Sequence, residues 1–261
     1  MPELPEVETF RKYIDGTSLD QKIVGFDCAD PRLLKKDHEV FNASLIGQSF
    51  VETHRIGKYL FIKTTGEHTL VMHFGMTGRP AYYYGSEARP KYAHIVYQFA
   101  NGYNLGFENR RKFGWNDLTE RIEVYQQHIG LSTDAQDLNF EDFMKAVQRR
   151  KTYIKPVLMD QSVTAGIGNW MADEIFYQAQ VHPQQKVHQL TEDQLLRIFE
   201  IMKEVIETAI REEAVYQNFP KHYFIHIRSE GSQCHHTASK IEKLTVGGRS
   251  TYYSPGWQAL N

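Results

Sequence analysis

The sequence predicts an α+β fold, in which an N-terminal helix and a β-sandwich precede a helical domain that ends in a β-hairpin. Three changes in residue pattern support this prediction. Apolar residues recur at helical spacing near the start, short segments rich in Val, Ile, Tyr and Phe fill residues 20–125, and helical spacing returns from about residue 132. The last part of the chain is again β-like.

The first half of the chain predicts one helix followed by β-strands. Apolar residues at every third or fourth position predict a helix over residues 4–14. The segments 68–73 and 93–99 have the composition of strands, and turn-forming pairs such as Asn101-Gly102 separate segments of this kind. We therefore place a first, β-sandwich domain over residues 1–130.

The second half predicts helices and then a hairpin. Helical patterns cover residues 140–148, 170–178 and 191–213, and Thr191 can cap the last of these helices. The pair Gly247-Gly248 predicts the tight turn of a β-hairpin. We place the helical domain over residues 131–223 and the hairpin over residues 224–261.

Bulk composition limits the class of protein. The chain has no apolar run of 18 residues and no signal-peptide pattern, so we expect a soluble intracellular protein. Cys28 and Cys234 lie far apart, which predicts reduced thiols. The net charge of −2 does not favour DNA binding unless basic residues cluster, as they do over residues 149–155 with four bases and no acid. Such a cluster is also typical of a merely solvated face.

The N-terminal residues carry a specific chemical signal. If Met1 is removed, Pro2 becomes a secondary amine that is nucleophilic at neutral pH. Such an amine can add to a sugar carbon, expel a leaving group and form a cationic iminium. Glu3 is the next residue and can carry protons. Alternatively, the proline-rich start is simply an extended segment.

Other candidate residues have both a functional and a structural interpretation. In the turn over residues 164–169, glycines let a backbone approach a ligand closely, and amides that start the following helix favour a phosphate. The same turn is typical of an ordinary helical hairpin. Lys58, in a turn between β-like segments, can be an exposed hairpin lysine. Met76 and Phe113 can belong to the core of the β domain.

Several stretches, in the same order, resemble the formamidopyrimidine-DNA glycosylases, which are bifunctional base-excision repair enzymes related to the endonuclease VIII branch. They span essentially the whole chain. The stretches are PELPEVET at 2–9, IGKYL at 56–60, HFGMTG at 73–78, NRRKFG at 109–114, KTYIKPVLMDQSVTAGIGN at 151–169 and GGRST at 247–251. The PELP start, with Met76 and Phe113, favours this family over the pyrimidine-directed endonuclease VIII branch.

The resemblance implies a role for each matching residue. Pro2 would be the nucleophile and Glu3 the proton donor or relay, and Lys58 and Arg249 would complete the catalytic set. The residues implied to contact DNA are Met76, His94, Arg111, Phe113, Lys151, Lys155 and Asn169. Among them, Asn169 would bind a backbone phosphate within a helix-two-turns-helix motif. Met76, Arg111 and Phe113 would enter the duplex when the damaged base is flipped out.

The chain departs from the family at two places. Lys112 stands where the family commonly has arginine, which keeps the charge but weakens bidentate pairing. Most relatives also carry two C-x2-C pairs that bind zinc in the C-terminal hairpin. Here the corresponding positions are Cys234, Thr237, Ser254 and Trp257, so one ligand of four remains. We therefore expect no metal, and the hairpin resembles the zincless finger of some family branches.

The predicted activity is that of a DNA glycosylase and AP lyase that removes oxidised purines through a proline Schiff base and β,δ-elimination. The predicted partner is double-stranded damaged DNA, bound by a monomer without a cofactor or a membrane. We expect a cytoplasmic, nucleoid-associated location in a bacterium or a nuclear one in a eukaryote. One alternative keeps this chemistry for oxidised pyrimidines or hydantoins, with differences in the loop at 216–224. The other, a non-catalytic DNA-damage binding module, would require loss of Pro2 or Glu3, and both are present.

Overall fold

The computed structural model describes residues 1–86 and 88–260, which divide into two compact units. The first unit contains residues 1–2 and 6–129, and the second contains residues 3–5 and the chain from Gly130 onward. The second unit thus includes both the helical segment and the C-terminal hairpin, which the sequence had suggested as separate domains. None of the helices within the described ranges is long and apolar enough to cross a membrane.

The first unit contains a long N-terminal helix and two antiparallel β-sheets. In chain order its elements are α1 (Leu4–Ser18), β1 (Ile23–Cys28), α2 (His38–Leu45), β2 (Phe50–Ile56), β3 (Tyr59–Thr64), β4 (Thr69–His73), β5 (Gly78–Tyr84), β6 (Ala93–Phe99), β7 (Tyr103–Asn109), β8 (Trp115–Thr119) and α3 (Ile122–His128). One sheet has the strand order β1-β6-β7-β5, and the other has the order β2-β3-β4-β8. Helix α1 extends beyond the predicted end at residue 14, and α2 lies in a region predicted to be entirely β-like.

The core of the first unit lies between its two sheets. Leu60 and Leu70 from one sheet and Ile95 and Leu105 from the other belong to a single cluster of buried apolar side chains. The facing sides of the two sheets therefore share one core, which is the arrangement of a β-sandwich. The fold class predicted from the sequence is confirmed for this unit.

Strand register brings three connecting segments of the first unit to one end of a sheet. Tyr59 pairs with His73, and His73 pairs with Trp115. The turn before β3, the loop after β4 and the loop before β8 must therefore lie close together, because each is attached directly to one of these three paired residues. This end of the sandwich carries most of the candidate residues in the first half of the chain.

The second unit is helical and ends in a hairpin. Its elements are α4 (Phe140–Gln148), α5 (Ile154–Met159), α6 (Asn169–Ala179), α7 (Glu192–Arg211), β9 (Glu242–Val246) and β10 (Arg249–Tyr253). The predicted cap of α7 is confirmed, because the Thr191 side chain accepts a hydrogen bond from Gln194 N and the Gln194 side chain accepts one from Thr191 N. Helix α6 contributes Met171, Ile175 and other buried residues to the core, which α7 covers with one apolar face.

The hairpin turn has the geometry that its glycines predict. Gly247 and Gly248 have φ angles of 55° and 73°, and two successive positive values are those of the two-residue turn best matched to strand twist. The rest of the C-terminal segment is less regular than predicted. Residues 235–238 form bends instead of a strand, because hydroxyl and thiol side chains in and beside this segment form local hydrogen bonds that compete with strand pairing.

Candidate active site

Glu3 is held at the N-terminus of α6 within the second unit. Its side chain is 2% exposed, and its two carboxylate oxygens accept hydrogen bonds from Trp170 N at 3.0 Å and Met171 N at 3.2 Å. Leu4 N also donates to Gly166 O at 3.1 Å. The free amides and the dipole at a helix N-terminus stabilise a carboxylate, so Glu3 is fixed in place. Pro2, the preceding residue, is partly exposed.

The glycines of the turn before α6 make room for the N-terminal residues. A Cβ on Gly168 would lie 2.6 Å from Glu3 Cγ, and one on Gly166 would lie 2.8 Å from Leu4 Cβ. Both contacts are closer than real Cβ atoms allow. The sequence interpretation, in which these glycines and the helix amides receive a ligand phosphate, is therefore corrected. The close approach is made by the chain's own Glu3 and Leu4.

Asn169 joins the helix that binds Glu3 to the strand that begins with Arg249. Asn169 Nδ2 donates to Ser250 O at 2.9 Å, which joins the start of α6 to the start of β10. The Asn169 Oδ1 atom is buried and has no hydrogen-bond partner among the described residues. Arg249 is exposed at the first position of β10, directly after the turn. The start of β10, where Arg249 stands, is therefore joined to the first residue of α6, and the next two residues of that helix bind the Glu3 carboxylate.

A cluster of buried, charged side chains supports the start of β10. Lys155 Nζ lies 2.6 Å from Asp173 Oδ1 and 2.7 Å from Thr251 Oγ1, and both charged side chains have no exposed surface. Arg228 Nη2 lies 2.7 Å from the second oxygen of Asp173. Thr251 in turn donates to Arg249 O at 3.1 Å. The cluster thus connects α5 and α6 to the strand that begins with Arg249.

The position of Lys155 does not agree with the predicted DNA contact. A lysine with no exposed surface cannot bind a phosphate unless it first leaves Asp173. Burial lowers the pKa of Lys155, and Asp173 opposes that change. Lys151, by contrast, is exposed just before α5, as a DNA-contacting lysine requires.

Lys58 and His73 lie together at the loop end of the sandwich unit. Lys58 is only 7% exposed, so the interpretation as an exposed hairpin lysine is wrong. The His73 ring stacks on Trp115 with centroids 5.3 Å apart, and His73 Nδ1 accepts a hydrogen bond from Gly75 N at 3.3 Å. Burial, and then the charges of Lys58 and Lys35, lower the pKa of His73 to about 4. A neutral His73 can accept the Gly75 bond at neutral pH.

Met76, Arg111 and Phe113 project from two adjacent loops of the same unit. Met76 is 39% exposed and Phe113 is 55% exposed, so the alternative that they belong to the core is wrong. The loops touch at Gly75, where a Cβ would lie 2.6 Å from Phe113 O. The Thr77 hydroxyl also accepts a hydrogen bond from Arg111 N at 3.1 Å.

His94 lies on β6 of the first unit and is partly exposed. Its Nε2 atom is buried without a hydrogen-bond partner among the described residues. Burial, followed by the charge of Lys112, lowers the pKa of this histidine. Its neutral ring has an unpaired polar atom, but that atom is buried, so a contact of this atom with DNA would require the ring to move.

The residues at the four positions of the family's zinc ligands do not fit a zinc ion. The Ser254 hydroxyl bonds to that of Ser239 at 2.8 Å, and the Ser239 hydroxyl bonds to that of Thr237 at 2.7 Å. The Trp257 indole stacks on His236 with centroids 4.2 Å apart. Hydroxyls already bonded to each other and an indole are not zinc ligands. Cys234, the remaining thiol, shares a hydrogen bond with the Tyr177 hydroxyl at 3.3 Å.

Sequence reasoning missed the residues that support the site. Asp173 and Glu174 stand together in the middle of α6, and both are buried. Glu174 accepts hydrogen bonds from Phe224 N at 2.9 Å and Ile225 N at 2.8 Å, which fixes the end of the segment at 216–224. The available signal was an acidic pair within an otherwise apolar helix, since buried carboxylates are rare unless they have partners.

Comparison with protein families identifies both parts of the chain. Residues 1–116 match the formamidopyrimidine-DNA glycosylase N-terminal domain, and residues 129–219 match the formamidopyrimidine-DNA glycosylase H2TH domain. A formamidopyrimidine-DNA glycosylase from Pelotomaculum thermopropionicum is 30% identical over 279 aligned positions, which cover 100% of each chain. One from Streptococcus pneumoniae is 31% identical and covers 99% of each chain.

Solved structures give the same result. The Lactococcus lactis formamidopyrimidine-DNA glycosylase bound to DNA with an AP site has a TM-score of 0.91 and 27% identity, covering 98% of this chain and 99% of the other. The complex of the Lactococcus lactis enzyme with FAPY-dG-containing DNA has a TM-score of 0.90 and 26% identity, covering 98% and 100%. The fold and these relatives define a DNA-repair glycosylase with a helix-two-turns-helix domain. More narrowly, the chain belongs to the formamidopyrimidine-DNA glycosylase family.

Proposed function

We propose that the protein is a bifunctional DNA glycosylase and AP lyase that removes oxidised purines from double-stranded DNA as a monomer. The observation that carries the proposal is the placement of Glu3. Its carboxylate directly follows Pro2 and is fixed by the α6 amides, and Asn169 ties the start of the same helix to the strand that begins with Arg249. The relatives from Lactococcus lactis bind DNA with an AP site or with FAPY-dG, which supports damaged DNA as the substrate.

The reaction begins at the amine of Pro2 once Met1 has been removed. The nitrogen lone pair attacks C1′ of the damaged nucleotide, and the bond between C1′ and the base breaks. The electron pair of that bond leaves with the base, which takes up a proton. Opening of the sugar and loss of the amine proton give a cationic iminium. Glu3 carries the protons of these steps, because it is the carboxyl group held next to the amine.

The iminium then drives strand cleavage. It withdraws electrons from C2′, so a C2′ proton is lost and the bond to the 3′ phosphate breaks. A second elimination releases the 5′ phosphate. Asn169 and Arg249 offer hydrogen bonds and charge to those phosphates, and Lys58 contributes a further cation. No step requires a cofactor.

Duplex binding uses exposed and partly exposed residues, chiefly of the first unit. Met76 and Phe113 supply apolar atoms to replace the stacking lost when a base is flipped, and Arg111 bonds to the base left unpaired. His94 and Lys151 supply further contacts to the DNA backbone. The C-terminal hairpin needs no zinc, because hydroxyl bonds and the Trp257 stack on His236 support it instead.

Borohydride trapping tests the proposal. The processed protein should form a covalent complex with duplexes that contain 8-oxoguanine, a formamidopyrimidine or an abasic site. Pro2→Gly should weaken trapping, and a form that retains Met1 should abolish it, because its amine is then a peptide nitrogen. Equal trapping by the form that retains Met1 would exclude Pro2 as the nucleophile.

A lesion panel in the same assay decides substrate class. Preferential trapping on oxidised pyrimidines or hydantoins would overturn the purine assignment and leave the chemistry intact. Tight binding to damaged DNA without trapping or strand cleavage would indicate a binding module. The panel should include undamaged DNA as a control.

A further inference from the structure

An ion pair between Lys112 and Asp30 lies beside the loop that carries Arg111 and Phe113. Lys112 Nζ is 2.8 Å from Asp30 Oδ2. Asp30 is only 7% exposed, and its two carboxylate oxygens also accept hydrogen bonds from Arg32 Nε at 2.8 Å and Nη2 at 2.7 Å. Arg32, followed by Lys112, holds the pKa of Asp30 well below its usual range. The carboxylate is therefore charged at neutral pH.

Asp30 is itself fixed to the sandwich. Its side chain accepts a hydrogen bond from Arg32 N at 3.3 Å, and its carbonyl oxygen accepts one from Leu33 N at 3.0 Å. Slightly further along, Lys35 N donates to Asn116 O on β8 at 2.9 Å. The segment that carries Asp30 is thus tied to the strand that follows the loop. Its carboxylate is a fixed anchor for a residue in that loop.

Lys112 lies between Arg111 and Phe113 in the loop, so its conformation affects the directions in which these two side chains point. It has a φ of 55°, in the left-handed region that is uncommon for residues other than glycine, and its N–H donates to Asn109 O at 3.1 Å. On either side of it, Arg111 and Phe113 project together, with the guanidinium 5.1 Å from the centre of the phenyl ring. An anchored Lys112 therefore keeps this exposed pair in one arrangement.

We propose that Asp30 is a positioning residue for lesion excision, which holds Lys112 so that Arg111 and Phe113 are ready to enter the duplex. The inference rests on the proposed function. In this proposal Asp30 acts through the loop, because its carboxylate is bound by Lys112. Insertion into the duplex is needed when a paired base must be expelled, but not when the base is already missing. Loss of Asp30 should therefore affect excision and spare nicking at a preformed abasic site.

The test compares these two substrates under single-turnover conditions. Asp30→Asn removes the charge and keeps the shape, so excision from an intact duplex should fall by about ten- to hundredfold, as for other misplaced catalytic loops. Nicking of a preformed abasic site should remain near wild type. Lys112→Met should reproduce the loss, and the double variant should lose no more than either single variant, because both substitutions break the same Asp30–Lys112 pair. Lys112→Arg, whose side chain can still pair with Asp30, should excise at a rate close to that of the wild type.

A matched control breaks a different pair in the same unit. Glu52→Gln removes an exposed carboxylate that lies 2.9 Å from Lys63 Nζ, and it should leave both activities unchanged. Full excision by Asp30→Asn, equal losses on both substrates, or additive effects at residues 30 and 112 would overturn the proposal. If the wild type neither excises nor is trapped, the proposed function itself fails. If Asp30→Asn does not fold, the excision rate of Lys112→Met tests the proposal instead. The Lys112 side chain is 41% exposed, so its replacement should not prevent folding.

Discussion

Replacing Asp173 tests how far the buried ion cluster supports the second unit. Asp173 has no exposed surface, and its oxygens accept hydrogen bonds from Lys155 at 2.6 Å, Arg228 at 2.8 Å and Tyr252 N at 3.3 Å. Asp173→Asn keeps the shape but leaves two cations without their counter-charge. Removing one partner of a buried ion pair costs about 3–5 kcal/mol. Since whole domains have about 5–15 kcal/mol of stability, this is a large fraction.

The same substitution should change how stability depends on pH. Burial already lowers the pKa of Lys155 in the folded protein. At pH values between this lowered pKa and the ordinary lysine pKa, Lys155 binds more protons in the unfolded chain than in the folded one, so the free energy of unfolding rises with pH. Without Asp173, which raises that pKa, the effect should be larger. The stability difference between variant and wild type should therefore shrink as pH rises from 7 towards about 10, because a neutral Lys155 needs no counter-charge.

Urea denaturation followed by tryptophan fluorescence measures both effects, because Trp170 and Trp257 lie in the second unit. Asp37→Asn is the control, since Asp37 is exposed and its side chain forms no cap hydrogen bond at α2. A cost for Asp173→Asn below about 1 kcal/mol, the scale of an exposed ion pair, would refute the reasoning. So would a cost that is the same at pH 7 and at high pH.

Four further predictions follow from the structure. Arg249→Ala should weaken lesion binding by about 1–3 kcal/mol and reduce the salt dependence of binding by about one phosphate contact. The melting temperature should not change, because the Arg249 side chain is exposed. Unchanged binding would exclude a phosphate contact by Arg249. Met76→Ala and Phe113→Ala should impair duplex excision more than nicking at an abasic site, whereas equal losses would indicate a packing role. The pKa of His73 is lowered in the folded protein, so between pH 6.5 and about 4 this residue binds more protons when the chain is unfolded. Acidification through this window should therefore lower the free energy of unfolding of the first unit by up to about 3 kcal/mol. The substitution His73→Gln should remove this pH dependence. Chelators should change neither melting temperature nor activity, and stoichiometric zinc in elemental analysis would contradict this.

Local pattern was enough to predict the fold class and most elements. Helical spacing, turn glycines and a capping residue act over a few positions, so α4, α7 and the Gly247-Gly248 turn are visible in the sequence. The short helix α2 was missed because it interrupts a long β-rich region and buries only Phe41 and Leu45. Its two apolar anchors are too few to give a clear helical pattern.

The supporting residues could not be predicted because their contacts join distant parts of the chain. Lys155 pairs with a carboxylate 18 residues away and with a hydroxyl 96 residues away. The family resemblance implied that Lys155 contacts DNA, although the fold buries it against Asp173. Asp30 and Lys112 are 82 residues apart, so their pairing is equally invisible in the sequence. Residue type and spacing indicate candidate chemistry, but burial decides which charges remain available.

Because Glu3 occupies the N-terminal amides of α6, these amides are not free to bind a phosphate. The amides of Trp170 and Met171 are already occupied by Glu3, and a Cβ on Gly168 would overlap the same side chain. A phosphate near Pro2 cannot take those amides without displacing the carboxylate that the proposed reaction requires. In the proposed reaction, phosphate binding would therefore depend on side chains. Arg249 would supply the charge, and Asn169 would donate from Nδ2 once that group leaves Ser250 O. Under the proposed function, the helix N-terminus would position Glu3 as the proton carrier, while the hairpin would position the Arg249 cation.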